Sequence, residues 1–283
     1  MTHIFHHTLN DGHAIPPIGF GTFPLKGEEG RDAVHAALGN GYRLLDSATN
    51  YENEGIVGRA LRDFLAESGV PRDEVTVQSK LAGRHHDYES ALAAGYESVT
   101  RLGLDQLDVL MIHWPNPITN KYREAWRALV ELQKRGLVRS IGVSNFTAEH
   151  LANIIEDSGV TPAINQIELH PYAARDEMRA EHTRLGIVTQ AWSPLGKRNH
   201  PFAEAPVADA AAAHGVTPAQ VVLRWHLQLG SLPLPKASTP SRQVENLDVM
   251  GFELTDAQMS GISSLSTPDG ARSDRDPNEH EEM

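Results

Sequence analysis

Leu107-Asp108-Val109-Leu110-Met111-Ile112-His113 is a short apolar run that ends on an imidazole. Two earlier runs have the same form. Arg43-Leu44-Leu45-Asp46 ends on a carboxylate with Tyr51 five residues on, and Val75-Thr76-Val77-Gln78-Ser79-Lys80 ends on an amine. The spacing from Asp46 to Lys80, and from Lys80 to His113, matches one strand–helix–strand unit of about 30 residues. Consecutive parallel strands therefore bring an acid, a phenol, an amine and an imidazole to one end of a sheet, the end where enzymes of this architecture place their chemistry. Outward from these runs, strand and helix patterns alternate, with strands expected at Pro17–Thr22, Arg43–Asp46, Val75–Lys80, Leu107–His113, Val138–Ser144, Ala163–Glu168, Ile187–Trp192 and Ser231–Lys236. Residues 53–68 place Ile56, Val57, Ala60, Leu61, Phe64 and Leu65 on one helical face. Residues 147–158 open at Thr147 and stop at Gly159, and Thr217-Pro218-Ala219-Gln220 is a capping box with proline at the first helical position. Eight strand–helix repeats predict an α/β fold, a (β/α)8 TIM barrel occupying residues 1–268. Ile4–Leu9 and His13–Ile15 around Asn10-Asp11-Gly12 predict an N-terminal β-hairpin that plugs its N-terminal end. Residues 269–283 are polar and acidic and read as a short mobile C-terminal tail.

The 283 residues suit one barrel of about 250 residues. The net charge of −12 argues against a nucleic-acid partner, so an anionic ligand needs a local cationic site. There is no apolar run long enough to cross a membrane and no signal-peptide pattern, so the expected setting is cytoplasmic with no membrane partner; a monomer is the expected state. The absence of cysteine excludes disulfides, thiolate nucleophiles and Cys-ligated zinc. Adjacent histidines at 6–7 and 85–86 diverge and lack a carboxylate at ligand spacing, so no metal is expected.

A free phenol titrates near ~10 and is a poor proton donor at neutrality. The Lys80 ammonium would lower that value, and Asp46 would keep a buried lysine charged. His113 can donate a hydrogen bond to a substrate oxygen and orient it. Such a group could protonate a carbonyl oxygen as negative charge develops on it, but no side chain donates hydride, so a nicotinamide must. Taken singly, an Asp or Lys at a strand end is most often a surface charge, and a lone His a structural residue. Four at successive strand ends are harder to dismiss. No Gly-x-Gly-x-x-Gly follows any strand, so a Rossmann reading lacks its phosphate loop.

Asp46-Ser-Ala-Thr-Asn-Tyr51-Glu-Asn-Glu, Ser79-Lys80-Leu, Ile112-His113-Trp114-Pro115, Ile141-Gly-Val-Ser-Asn-Phe146 and Leu234-Pro-Lys-Ala-Ser-Thr239 resemble, in order and spacing, the motif series of the aldo-keto reductases. The resemblance runs from Ile15 to about Leu265 and leans toward the bacterial 2,5-diketo-gluconate reductase-like members. It implies a (β/α)8 barrel, NADPH (NADP+) as cofactor and a small-molecule carbonyl substrate. It implies Tyr51 as general acid, Lys80 and Asp46 tuning it, and His113 orienting the carbonyl. It also implies a dinucleotide extended across the barrel mouth. Ser144, Asn145 and Gln166 would hold the nicotinamide carboxamide and Trp192 would stack on its ring. Ser193 and Leu195 would meet the pyrophosphate. Lys236, Ser238, Thr239 and Arg242 supply the local cationic and hydroxyl site, helped by the helix start near Pro240, and Arg242 can grip a 2′-phosphate bidentately. Glu245 and Asn246 match the family's adenine contacts, and Phe23 and Trp114 its apolar pocket walls.

Two positions depart from the family pattern. Ala237 replaces a frequent serine, and Ala82 a frequent tryptophan, which predicts a wider pocket on that side. The expected activity is NADPH-dependent reduction of dicarbonyls, keto-sugars or aromatic aldehydes. The alternatives are a nicotinamide-nucleotide-binding regulatory subunit of the same fold with little activity and, behind it, a metal-dependent barrel hydrolase.

Overall fold

A computed structural model of the chain describes residues 6–197, 200–271 and 274–282. The short antiparallel hairpin of β1 (His7–Thr8) and β2 (Ala14–Ile15) comes first. Its expected start at Ile4 lies outside the described residues. Eight strands follow: β3 (Phe20–Gly21), β4 (Leu44–Asp46), β5 (Thr76–Leu81), β6 (Leu107–Ile112), β7 (Val138–Ser144), β8 (Ile164–Glu168), β9 (Val188–Trp192) and β10 (Leu232–Pro233). Each pairs in parallel with its sequence neighbour. Hydrogen bonds from the Gly19 N–H to the Pro233 carbonyl (3.0 Å) and from Gly21 to Pro235 (3.1 Å) join the first strand to the last and close the barrel. The closing strands are shorter than the expected Pro17–Thr22 and Ser231–Lys236. Pro17, Pro233 and Pro235 carry no N–H for a ladder. The approach at this seam is also tight, because a Cβ on Gly19 would lie 2.6 Å from the Leu234 side chain.

The helices that return the chain are α1 (Gly27–Gly39), α2 (Glu54–Ser68), α3 (Tyr88–Leu102), α4 (Tyr122–Lys134), α5 (Ala148–Ser158), α6 (Asp176–Leu185), α7 (Ala205–His214), α8 (Pro218–Gln228), α9 (Pro240–Leu247) and α10 (Asp256–Ser263). The expected caps are present. Thr147 and Thr217 form capping boxes with His150 and Gln220, and Gly159 ends α5 in the left-handed region at φ 69°. The face of α2 read from the sequence packs Val57, Ala60, Leu61 and Phe64 into the main core between sheet and helices.

Inside the barrel, Leu44, Val109, Met111, Ile164, Leu232 and Leu234 form a separate apolar cluster. Leu9 and Ile15 of the hairpin join it, both buried, so the hairpin closes the N-terminal end. Asn10 Nδ2 donates to the Pro162 carbonyl (2.9 Å), and His13 Nδ1 lies 3.1 Å from Ser140 Oγ, pinning the hairpin to the starts of β8 and β7. The inward side chains change character further along the strands, and the site begins there.

Candidate active site

Asp46 and Gln78 are register partners on β4 and β5, and Gln166 and Gln190 are partners on β8 and β9. All four are buried and point inward. Gln78 and Gln190 exchange a reciprocal pair of 2.9 Å hydrogen bonds across the barrel. Asp46 Oδ1 accepts from Gln78 Nε2 (2.6 Å), Gln166 Nε2 (3.0 Å) and Lys80 Nζ (2.6 Å). Lys80 is fully buried one pleat above Gln78. Its ammonium also donates to the Ser47 carbonyl (2.9 Å) and to the Tyr51 hydroxyl (3.3 Å). This polar layer caps the apolar plug and carries one compensated charge pair at its centre.

The loop from Asp46 to Tyr51 is held by a second buried network. Thr22 Oγ1 donates to the Asp46 carbonyl (2.8 Å), and Ser47 Oγ donates to Asn53 Oδ1 (2.7 Å). Asn53 Nδ2 then donates to the Thr22 and Leu25 carbonyls (both 3.1 Å). Tyr51 ends a 3-10 turn, Thr49–Tyr51, and its half-buried ring meets Phe23 at 5.0 Å and His113 at 5.7 Å between centroids. Below the loop, Ser79 Oγ donates to the buried Glu54 carboxylate (2.5 Å), which Arg101 Nε also bonds (2.6 Å).

The titration of this set differs from the sequence expectation in one respect. Burial pushes the Tyr51 hydroxyl up from its ordinary value, Lys80 pulls it back, and the Asp46 and Glu282 carboxylates push it up again, so it stays above a free phenol. The ammonium is therefore outweighed by desolvation, and Tyr51 holds its proton through neutral pH. Burial also acts against the Lys80 ammonium, but Asp46 and Tyr51 together outweigh it and hold Lys80 above a free lysine.

A cavity of about 1200 Å³ opens above this layer, lined by Tyr51, His113, Trp114, Trp192 and Lys236 among others. With the geometry of a buried Asp–Lys–Tyr chain at the mouth of a closed eight-stranded barrel goes a sequence match: residues 17–267 match the aldo/keto reductase family. The chain belongs to that family.

Among other aldo/keto reductases and their kin, 2,5-diketo-D-gluconic acid reductase B of Corynebacterium sp. (strain SHS752001) is 50% identical over 276 residues, 98% of each chain. A substituted form of Gox0644, solved in complex with NADPH, superposes with a TM-score of 0.92 at 41% identity and covers 98% of both chains. A Bombyx mori aldo-keto reductase solved in complex with NADP superposes with a TM-score of 0.88 at 30% identity, covering 94% of both chains.

The remaining sequence candidates divide between the cavity and its surroundings. Phe23, Trp114, Asn145, Gln166, Trp192, Ser193, Leu195 and Lys236 line the cavity with Asp46, Tyr51 and His113. Asn145, at φ 63°, donates to the His113 carbonyl (3.0 Å) and accepts from the Trp192 indole N–H (2.8 Å), which fixes the Trp192 ring. Lys197 Nζ sits 4.9 Å from the centre of that ring. Ser144, Ser238, Thr239, Arg242, Glu245 and Asn246 stand outside the lining. Ser144 Oγ donates to the Gln166 carbonyl (2.8 Å). Ser238, Thr239 and Arg242 are exposed at the start of α9, where the Thr239 hydroxyl makes no capping bond. Glu245 accepts from Thr217 Oγ1 (2.7 Å) and Asn246 is buried. Both belong, in this arrangement, to the packing of α9. His85 Nδ1 lies 3.1 Å from Ser90 Oγ, and burial drives His86 down to about 4.

Three features escaped the sequence reading. Gln78 and Gln190 complete the polar layer. Asn116, in the loop after His113, turns its side chain toward the C-terminus. The described tail residues 274–282, in a segment read as mobile, reach the mouth, where Asp274, Arg275 and His280 to Glu282 line the cavity, and Glu282 Oε1 is 2.7 Å from His113 Nδ1. Ala82 is fully buried and stands outside the cavity lining, and next to it a Cβ on Gly83 would come within 2.1 Å of the Glu282 carbonyl oxygen.

Proposed function

We propose that this chain reduces aldehydes and ketones to alcohols with NADPH, Tyr51 giving the proton. The reading is carried by one observation, the buried Asp46–Lys80–Tyr51 hydrogen-bond chain ending at the open cavity. The donor chemistry around that cavity suits the cofactor. Lys236, Ser238, Thr239 and Arg242 form a cationic and hydroxyl cluster at a helix start in a chain of net charge −12. Asn145 and Gln166 offer amide groups beside the indole plane of Trp192. NADPH would be held by these residues and would supply the hydride. Two relatives of this fold are solved with NADPH or NADP, which supports the same choice.

Tyr51 faces the cavity with its proton retained. As charge develops on a substrate oxygen, the hydroxyl donates, and the Lys80 ammonium at 3.3 Å offsets the phenolate that remains. Asp46 keeps Lys80 charged and in place. His113, edge-on to Tyr51, orients the oxygen from a second side. Phe23 and Trp114 supply apolar walls, and Ser193 and Leu195 the loop over the pyrophosphate.

Dicarbonyls, keto-sugars and aromatic aldehydes are the substrate classes in this reading, and a relative named for 2,5-diketo-D-gluconic acid supports the second. The reading also takes residues 1–268 as one unit with 269–283 appended, acting as a cytoplasmic monomer without a nucleic-acid partner. Light scattering and cell fractionation test the last points. No helix among the described residues is long and apolar enough to cross a membrane.

The deciding assay follows loss of NADPH absorbance against a panel of these carbonyls. Turnover of at least one is expected. Binding of NADPH without turnover of any would favour the regulatory-subunit reading instead.

A further inference from the structure

The final described residues return to the place where a substrate oxygen would have to bind. Glu282 is held at both its backbone and its side chain. Its N–H donates to Asn116 Oδ1 (3.0 Å), and its carbonyl accepts from Asn116 Nδ2 (2.6 Å). Its Oε1 lies 2.7 Å from His113 Nδ1, and its Oε2 accepts from the Gly83 N–H (3.3 Å). Glu281 forms a second anchor, accepting from the N–H groups of Ile118 (2.7 Å) and Thr119 (3.2 Å). His280 packs edge-on against Trp114 at 4.6 Å, and the Arg275 guanidinium lies over the same ring at 5.9 Å. Burial works against the Glu282 carboxylate, but His113, Asn50 and the Gly83 N–H outweigh it and keep it charged at neutral pH.

We propose that Glu282 is a specificity-determining residue, an internal carboxylate ligand of the carbonyl-binding end of the pocket that a substrate must displace. The inference rests on the assignment of Tyr51 and His113 made above. The chain has local means to hold the segment: Asn116 reads the backbone of Glu282 as a neighbouring strand would, and Gly83 leaves the space its carbonyl occupies. The consequence is competitive. With the tail seated, the apparent affinity for any carbonyl is reduced by the fraction of molecules in which the site is free. A ligand with its own carboxylate meets the same competition and, in addition, the repulsion of the displaced but still tethered Glu282 carboxylate. Such ligands therefore gain more from loss of the tail than neutral ones do.

Three variants separate this from a merely structural tail. One lacks residues 281–283. The second, Gly83→Ala, leaves Glu282 in the chain but places a methyl group 2.1 Å from its carbonyl. The third, Glu282→Gln, keeps the shape and removes the charge. Two readouts are used: KM for a neutral dicarbonyl such as methylglyoxal in the NADPH-loaded enzyme, and the affinity of benzoate for the cofactor-free protein by calorimetry. KM is expected to fall at least about threefold in the first two variants and less in Glu282→Gln. Benzoate is expected to bind at least about tenfold more tightly to the truncated protein than to the parent. Thermal melting checks that each variant is folded. Unchanged benzoate affinity in the folded truncated protein overturns the proposal, as does a KM that rises in both Gly83→Ala and the truncation. The benzoate titration needs no turnover. Failure of the reductase reading would appear as an inactive parent, and the role of Glu282 would still be decided.

Discussion

Asp46, Gln78, Lys80, Gln166 and Gln190 at the floor of the cavity are buried and bonded to one another, whereas Lys236, Ser238, Thr239 and Arg242 on the rim are exposed. The floor is delivered by strands whose register fixes every partner. The rim is delivered by a loop and the first turn of α9, where Lys236 Nζ lies 3.4 Å from Ser238 Oγ. In the low dielectric of the floor each charge interaction is strong and already in place before a substrate arrives. At the rim, water and salt screen the same charges, and side chains must be ordered on binding. The contrast predicts that changes at the floor cost turnover or folding, while changes at the rim cost affinity.

The largest effect belongs to Tyr51→Phe, which removes the proposed proton donor and leaves the ring against Phe23 and His113. Turnover is expected to drop by about 10²–10⁴-fold, with NADPH affinity, measured by fluorescence titration, kept. A variant that reduces carbonyls at the parent rate would move the proton donor elsewhere and end the contrast at its strongest point.

Lys80→Met comes next, because it strands the Asp46 carboxylate in the barrel with amide partners alone. A loss of about 3–5 kcal/mol in urea-unfolding stability is expected. Replacing Asp46 by Asn in the same chain should restore part of it. A loss below about 1 kcal/mol would show that the floor is not preorganised by this pair. The same pair predicts alkaline behaviour. Lys80 is held above a free lysine when folded, so its contribution is complete below the unfolded value near ~10.4 and is lost as pH rises through the folded one.

A smaller effect concerns pH and rate. Tyr51 is held above a free phenol and must be protonated to donate. The reductive kcat/KM is therefore expected to stay level across neutral pH and to fall only above the ordinary phenol value of ~10. A falling limb between pH ~7 and ~9, below that value, would show that Lys80 wins over burial after all.

The floor was half legible in the sequence. Asp46 and Lys80 stand out because each closes an apolar run, and with His113 beyond the floor their spacing repeats the strand–helix–strand unit. Gln78 and Gln190 do not stand out. In Thr76-Val77-Gln78-Ser79-Lys80 the side chains of Thr76, Gln78 and Lys80 share one face, as on a strand with one wet face, and only closure of the barrel turns that face inward. The direction of the Tyr51 shift was hidden for a related reason, since Lys80 is visible as a neighbour but the extent of burial is not. The tail was least legible. Its acidic composition suits a solvated segment, and the groups that seat Glu282, namely Gly83, His113 and Asn116, lie far away in the chain.

Arg242→Ala sharpens the comparison from the weak side. The guanidinium is exposed on the second residue after Pro240, near a helix start that also favours an anion. An exposed charge of this kind contributes little to folding, so the unfolding midpoint is expected to stay put. In its proposed role it gives a two-pronged, charge-assisted hydrogen bond to a 2′-phosphate, a group NADH lacks. The expected result is NADPH affinity weakened by about tenfold, or ~1.4 kcal/mol, with NADH affinity unchanged. The parent's NADPH affinity should also fall more steeply with salt than the variant's, because the lost contact is a screened one. Equal weakening of NADPH and NADH would mean that Arg242 supports the shape of the rim rather than the phosphate. The difference between floor and rim would then be one of packing, not of when the charges are ordered.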